Sequence, residues 1–185
     1  RLIASSLNLS MGTVTNIVKD LLERNILIEG RKDNKVMGRK STYLHFNHNM
    51  AFVISVILSY PNVMRLSVCD LSGNIVKTNS AYIPLIIDNT NDGIKLFKGL
   101  ATTISDFIGS NDKDIQDRIM AIEISIPGIA FNNLTVYAPF FNWDNLPLGN
   151  YLRNFFPYPV FLENVTRIKA VYEMRYVVPS EKNVL

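Results

Sequence analysis

The sequence predicts a mixed α/β protein in two parts: a small helical module ending in a hairpin over residues 1–48, and a larger strand-and-helix body over residues 49–185. Three observations lead there. Apolar residues recur at helical spacing between Val14 and Leu22. After Met50 the texture changes to strand-length apolar runs divided by turn residues. The charge changes at the same place. Residues 1–48 contain eight Lys or Arg against four Asp or Glu, a balance of +4, whereas residues 49–185 contain eleven against twelve, a balance of −1.

The bulk composition, 48% hydrophobic and 19% charged, is that of a globular chain. No apolar run approaches the roughly 20 residues that span a bilayer, so no membrane partner is expected. A single cysteine, Cys69, allows no intrachain disulfide and no Cys-based metal spacing, which points to a reducing, cytoplasmic setting. Cys69 reads as a small buried hydrophobe in a strand. His45 and His48 do not make a metal pair, and no cofactor is read within the chain. A basic module on a near-neutral body suits a polyanionic partner.

In the module, "LIASSLNLSMGTVTNIVKDLLERNILIEG" reads as two helices and a tight turn. Ala4 and Leu7 face inward, and Asn8 occupies the turn, where a left-handed backbone is needed. Ser10 is a good N-cap for the second helix. Val14, Ile17, Val18, Leu21 and Leu22 form one apolar stripe. The other face, with Met11, Gly12, Thr13, Thr15, Asn16 and Lys19, is mostly small and polar and suits the floor of a DNA groove. The spacing resembles a helix-turn-helix.

Beyond it, strands near Leu27–Glu29 and Thr42–Phe46 would make the wing of a winged helix. Gly38, Arg39 and Lys40 sit between them. Gly38 permits close backbone approach, and Arg39 and Lys40 would reach the DNA backbone or minor groove, whose narrow A·T-rich form attracts Arg. A further helix is expected before Arg1 in such a module. His45 falls in the second wing strand, structural or exposed.

In the body, "AFVISVILSY", "MRLSVCDLSG" and "NIVKTNSAYIPL" read as consecutive strands, with Asp70–Gly73 a hairpin turn. Asn91 to Ile108 has helical spacing, and "IMAIEISIPG" is a fourth strand. A loop-rich stretch follows, then a helix near Leu148–Phe155, a fifth strand in "YPVFLEN" and a helix in "VTRIKAVYEMRY". This succession matches one ribonuclease H-like lobe, half of an actin-like sugar kinase.

The order of "GRKS", "CDLSG", "ISIPGI", "YAPFFNWDNLPL" and "PVFLEN" with "AVYE" resembles the ROK family (repressor, open reading frame, kinase) from Leu2 to Leu185. In that family a winged helix precedes the body only in transcriptional regulators, and its wing bears a Gly-Arg-basic element like Gly38-Arg39-Lys40. The resemblance also implies a second lobe after Leu185, carrying a structural zinc cluster and further sugar ligands.

The same resemblance locates the chemistry that is absent. Family kinases place an Asp general base directly after the Asn of the fifth strand; here that residue is Val165, and an alkyl group takes no proton. Their Asp-x-Gly-x-Thr phosphate loop is replaced by "LSYPN", Leu58 to Asn62, where Pro61 also removes a backbone N–H of the kind that cradles phosphate. The family's Pro-Gly turn and pocket Asn are matched by Pro127, Gly128 and Asn164. The bland readings are a common turn and a helix cap. Trp143 and its aromatic neighbours read as packing rather than as a sugar platform.

The expectation is therefore a DNA-binding transcriptional regulator, a repressor of sugar-metabolism genes. It would act as a homo-oligomer on double-stranded DNA, with a sugar or sugar-phosphate effector and no catalysis. Two rivals stand beside it: an active sugar kinase with a DNA-binding arm, and a sugar-sensing scaffold without DNA binding.

Overall fold

A computed structural model describes residues 2–32, 42–87, 92–132 and 135–177. The chain forms two compact units, Arg1–Met50 and Ala51–Leu185.

The first unit has helices α1 (Leu2–Leu7) and α2 (Met11–Glu23) and an antiparallel hairpin of β1 (Leu27–Lys32) and β2 (Thr42–Phe46). Strand β1 runs further than the Leu27–Glu29 read from the sequence. Both helix exits use asparagine in the left-handed conformation, Asn8 (φ 57°) and Asn25 (φ 55°). In each case a backbone N–H then folds back on the helix: Leu9 onto the Ala4 carbonyl at 3.0 Å and Ile26 onto that of Leu21 at 2.9 Å. Asn47 ties the hairpin to this second turn. Its backbone N–H donates to the Ile26 carbonyl and its Nδ2 to that of Asn25, both at 2.9 Å. Ala4 is buried, but the α2 stripe is not closed over. Val14, Val18, Leu21 and Leu22 are half-buried and Ile17 is exposed. With Ile3, Leu7, Leu9, Leu27 and Leu44, all but Leu22 line an open apolar trough.

The second unit is built on a five-stranded sheet of β3 (Phe52–Ser59), β4 (Val63–Asp70), β5 (Ile75–Tyr82), β6 (Ile119–Ile126) and β10 (Val160–Asn164), in the order β10-β6-β3-β4-β5. Strands β3, β4 and β5 form an antiparallel meander, while β6 and β10 run parallel to β3. The parallel pairings need crossovers, supplied by α3 (Asp92–Gly109) with the short α4 (Lys113–Asp117), and by α5 (Leu148–Phe155). Every second residue of β3 (Phe52, Ile54, Val56, Leu58) is buried. That face continues through Leu66, Ile122, Ile124 and Leu162 and packs in one core with Leu100 and Ile104 of α3 and Leu148 and Leu152 of α5. The β4–β5 turn is held by Asp70, whose Oδ1 accepts from the Ser72 N–H (2.8 Å), Ser72 Oγ (2.7 Å) and the Asn74 N–H (2.9 Å). These bonds, led by the Ser72 hydroxyl, hold its carboxyl down to about 2. Gly73 takes φ 86° there, as a hairpin turn of this kind requires.

Between β6 and α5 the expected loop-rich stretch is instead a second antiparallel sheet of β7 (Ile129–Phe131), β8 (Thr135–Ala138) and β9 (Trp143–Leu146). The strands are too short to show alternation. Asn132, Asn142 and Asn145, all with positive φ, punctuate them. Trp143 is buried and donates Nε1 to the Leu85 carbonyl at 2.7 Å, so its reading as packing holds. Cys69 is only half-buried, since it points to the less covered face of the sheet. The last helix, α6 (Val165–Tyr172), continues as one wider turn over Glu173–Val177.

The less covered face carries Glu123, which accepts from Ser125 Oγ (2.7 Å) and Ser55 Oγ (3.2 Å). Burial, with a smaller push from Glu163, raises its carboxyl above the usual 4.5 despite those donors. A raised folded-state value means that its stabilisation is present below pH 4.5 and is lost as pH rises through the higher folded value. Glu123→Gln is therefore expected to be more stable than the parent at pH 7, with the gap closing below about pH 4.5. Urea unfolding of both proteins across pH 4 to 8 checks this, and a gap that widens on acidification would contradict it.

Candidate functional site

Two places collect the residues singled out from the sequence, one in each unit. In the first, Ser10, Met11, Gly12, Thr13, Thr15, Asn16 and Lys19 are all exposed on the N-terminal part of α2. They are not equally free. Ser10 is the N-cap, with Oγ accepting from the Thr13 N–H at 3.1 Å and lying 2.8 Å from the Thr13 hydroxyl. The Thr15 hydroxyl donates to the Met11 carbonyl at 2.8 Å, so its proton is spent within the helix. Lys19 lies 3.7 Å from Glu23 as an exposed i,i+4 pair of the kind that contributes little. Asn16 therefore presents the full donor and acceptor set that base edges match. Gly38, Arg39 and Lys40 lie outside the described residues.

In the second unit, Pro127, Gly128, Asn164 and Val165 meet in one open cleft of about 360 Å³, with Ile129, Tyr137, Pro139, Phe140 and Thr166. Asn164 organises it. Its Oδ1 accepts from the backbone N–H groups of Thr166 (2.8 Å) and Arg167 (2.9 Å), capping α6, and its Nδ2 donates to the Gly128 carbonyl at 2.6 Å. The capping role foreseen as the bland reading is thus present, and the same side chain ties the Pro-Gly turn to the helix. Gly128 has a packing reason of its own. A Cβ there would lie 2.7 Å from Ala138 Cβ and 2.9 Å from its Cα, and would overlap the Tyr137 carbonyl.

The cleft holds no carboxylate among its lining residues. Val165 occupies the first helical position beside Asn164. Glu163 is engaged elsewhere, accepting from the Asn164 N–H at 2.8 Å and standing 3.7 Å from Arg167. The "LSYPN" turn is likewise committed to structure. Asn62 Oδ1 accepts from the Leu85 N–H at 2.7 Å, and its Nδ2 donates to the Tyr82 hydroxyl at 3.2 Å. Sequence reading missed the cleft's aromatic rim. Phe141 and Trp143 pack inside as expected, but Phe140 is 67% exposed and borders the cleft with Tyr137. The signal was in "YAPFF", where Pro139 starts a short 3₁₀ turn that sends successive phenylalanines in different directions. Among the described residues no group of His, Cys, Asp and Glu could hold a metal ion.

No family model matches the chain. It is 27% identical over 184 residues to the xylose repressor of Staphylococcus xylosus, covering 98% of this chain and 46% of that protein. It is 25% identical over 166 residues to the xylose repressor of Bacillus spizizenii, covering 89% and 41%. The chain thus spans less than half the length of the curated relatives it matches. Its fold is similar to that of a ROK family transcriptional regulator described as a homologue of the E. coli MLC protein. That match has TM-score 0.65 and 21% identity, and covers 94% of this chain and 43% of that one. A ROK family glucokinase from Streptomyces griseus, solved with glucose and AMPPNP, matches 68% of this chain and 37% of its own, with TM-score 0.54 and 20% identity.

Asn164→Ala should cost about 2 kcal/mol, combining a lost cap with an unpaired Gly128 carbonyl. Asn164→Asp should cost less than Ala, because a carboxylate still caps a helix N-terminus. Denaturant midpoints of the three proteins check the ranking.

Proposed function

We propose that this chain belongs to the ROK family and is the DNA-binding module and first lobe of a sugar-responsive transcriptional repressor. The observation that carries this reading is a pairing of features. A helix-turn-helix with an exposed polar face stands in the same chain as a sugar-kinase-like lobe whose cleft has Val165 where a kinase needs its base. The first unit acts as a winged helix. The N-terminal half of α2 enters the major groove, where Asn16 and Thr15 face base edges and Ser10 and Thr13 hold the helix start. Gly38, Arg39 and Lys40 of the wing meet phosphate or an adjoining minor groove. The chain works as a dimer on paired half-sites, because one such module contacts few base pairs.

The effector is a small sugar, and the relatives' name suggests a pentose such as xylose. It sits in the cleft at Pro127, Gly128 and Asn164, against the Tyr137 and Phe140 rings. Without a carboxylate to accept a sugar hydroxyl, binding by these residues is weak, in the millimolar to high-micromolar range, about −4 to −6 kcal/mol. Calorimetry with xylose on the full-length protein tests it.

Two outcomes follow. The full-length protein should consume no ATP above background on pentoses or hexoses, and Val165→Asp alone should not restore turnover, because the phosphate-loop position is occupied by Leu58 to Asn62 of another type. A coupled ATP assay decides, and turnover by the parent would overturn the reading in favour of a kinase. On DNA, Lys40→Ala should weaken all duplexes alike and reduce the salt slope by about one unit, whereas Asn16→Ala should cost about 1–3 kcal/mol on the cognate site only. Salt titrations on operator and scrambled duplexes separate the two. Equal, undiminished binding by both variants would leave the first unit without a DNA role.

A further inference from the structure

Hydrogen-bonding capacity is unevenly distributed along α2. Ser10 and Thr13 bond each other, and the Thr15 hydroxyl gives its proton to the Met11 carbonyl. Asn16 is exposed, and its side chain makes no hydrogen bond among the described residues. It keeps donor and acceptor side by side on one planar group. Charge divides the helix as well. Its first turn has no acid, whereas Asp20 and Glu23 lie in its second half, where Arg24 stands 3.3 Å from Asp20 and Lys19 3.7 Å from Glu23. Phosphates repel the two carboxylates of that half, so base reading falls to the first two turns.

Space points the same way. An Asn side chain is short and reaches a base edge only where the helix backbone comes close. Gly12 lies one turn before Asn16 on the same face and has no side chain to hold the helix off. The fold does not demand a glycine there. A Cβ would meet only Ser10 Oγ, at 3.8 Å, and Gly weakens a helix relative to Ala. Beside this line Met11 and Thr15 are also one turn apart, and both are exposed. With its proton spent, Thr15 has none for guanine O6 or N7. What the Met11–Thr15 pair offers is mainly apolar: methyl groups and a thioether.

We propose that α2 reads an A·T step: Asn16 holds an adenine through N6 and N7, and Met11 with Thr15 covers the methyl group of a thymine in the adjoining pair. Adenine is the base that uses both halves of the amide, since Nδ2 donates to N7 while Oδ1 accepts from N6. Guanine presents two acceptors, so Oδ1 would face O6 with no proton between them. Cytosine N4 and thymine O4 each engage one half only. The thymine methyl is the apolar group of the major groove and suits the Met11–Thr15 patch. This inference rests on the repressor reading, which supplies the DNA but not the bases.

The test uses the full-length protein and a duplex selected by it from a pool of randomised sequence. In that duplex each adenine is replaced in turn by an analogue with carbon in place of N7, and each thymine by deoxyuridine, which lacks the methyl group. At one adenine per half-site the analogue should weaken binding by the parent about tenfold, and should leave Asn16→Ala, already weaker, unchanged. At a neighbouring thymine, deoxyuridine should weaken the parent but not the double variant Met11→Ala with Thr15→Ser, in which the serine keeps the hydroxyl bond within the helix. Thermal melting confirms that each variant folds. A parent indifferent to every adenine analogue, or an Asn16→Ala variant that loses the same factor as the parent, would overturn the adenine contact. A double variant as sensitive to deoxyuridine as the parent would overturn the thymine contact. Base preference that changes with Lys19→Ala and not with Asn16→Ala would overturn both in favour of guanine reading. Selection that yields no preferred sequence would instead overturn the repressor reading itself.

Discussion

The second unit depends on one strand pairing on both sides in opposite senses. Residues Phe52 to Ser59 of β3 match β4 antiparallel, residue for residue, and most of them also match β6 in parallel. The antiparallel side closes with the short turn of Tyr60, Pro61 and Asn62. The parallel side cannot, and must send the chain over the sheet as α3 before β6 begins. Because β3 buries every second side chain, the helix has one face on which to land. Strand β10 then repeats the manoeuvre beyond β6. Both parallel strands end at the same edge of the sheet, which brings the Pro127-Gly128 turn beside Asn164.

What the sequence revealed follows from that logic. The β3–β4–β5 meander and β6 were legible because strands with one strongly buried face alternate, and because Asp70 and Gly73 mark their turn. Helix α3 was legible because its apolar residues keep a 3.6-residue period for 18 residues. The β7–β8–β9 sheet was not. Its strands of three or four residues are too short for a period, and their positions come from packing on Trp143 and Phe141 rather than from local preference. At the candidate site, Pro127, Gly128, Asn164 and Val165 were found by family resemblance and do converge. Tyr137 and Phe140 were missed, since nothing local distinguishes a ring at a cleft from a ring in a core. On α2 the sequence identified the exposed face and the Ser10 cap, but not that the Thr13 hydroxyl pairs with Ser10 Oγ or that the Thr15 hydroxyl is spent on the Met11 carbonyl.

On the proposed reading, the cleft has changed task while keeping its frame. Asn164 serves the scaffold whatever else it does: it caps α6 and holds the Pro-Gly turn, so the cleft keeps its shape when the reactive group is changed. Val165 is the adjacent position, at the helix start, where a carboxylate would be stabilised by the free N–H groups and the helix dipole. Replacing an acid by an alkyl group there costs the fold little and removes proton transfer altogether. On that reading the functional change is confined to a side chain on which the architecture does not rely.

On the proposed reading, that change is also what sensing requires. A kinase converts its sugar and so reports flux; a chain that holds the sugar without turning it over reports concentration. Weak binding suits that task, because a ligand shifts an equilibrium most informatively when its concentration lies near its dissociation constant. The shift is limited by the difference in affinity between the DNA-binding and released states, not by affinity itself. A sugar held equally in both states would leave the operator occupied however tightly it bound. The residues that decide induction are therefore those whose contacts change between the two states, and the rigid Asn164-Gly128 link is a poor candidate for them. Exposed rim groups such as Phe140 are the better place to look for that difference.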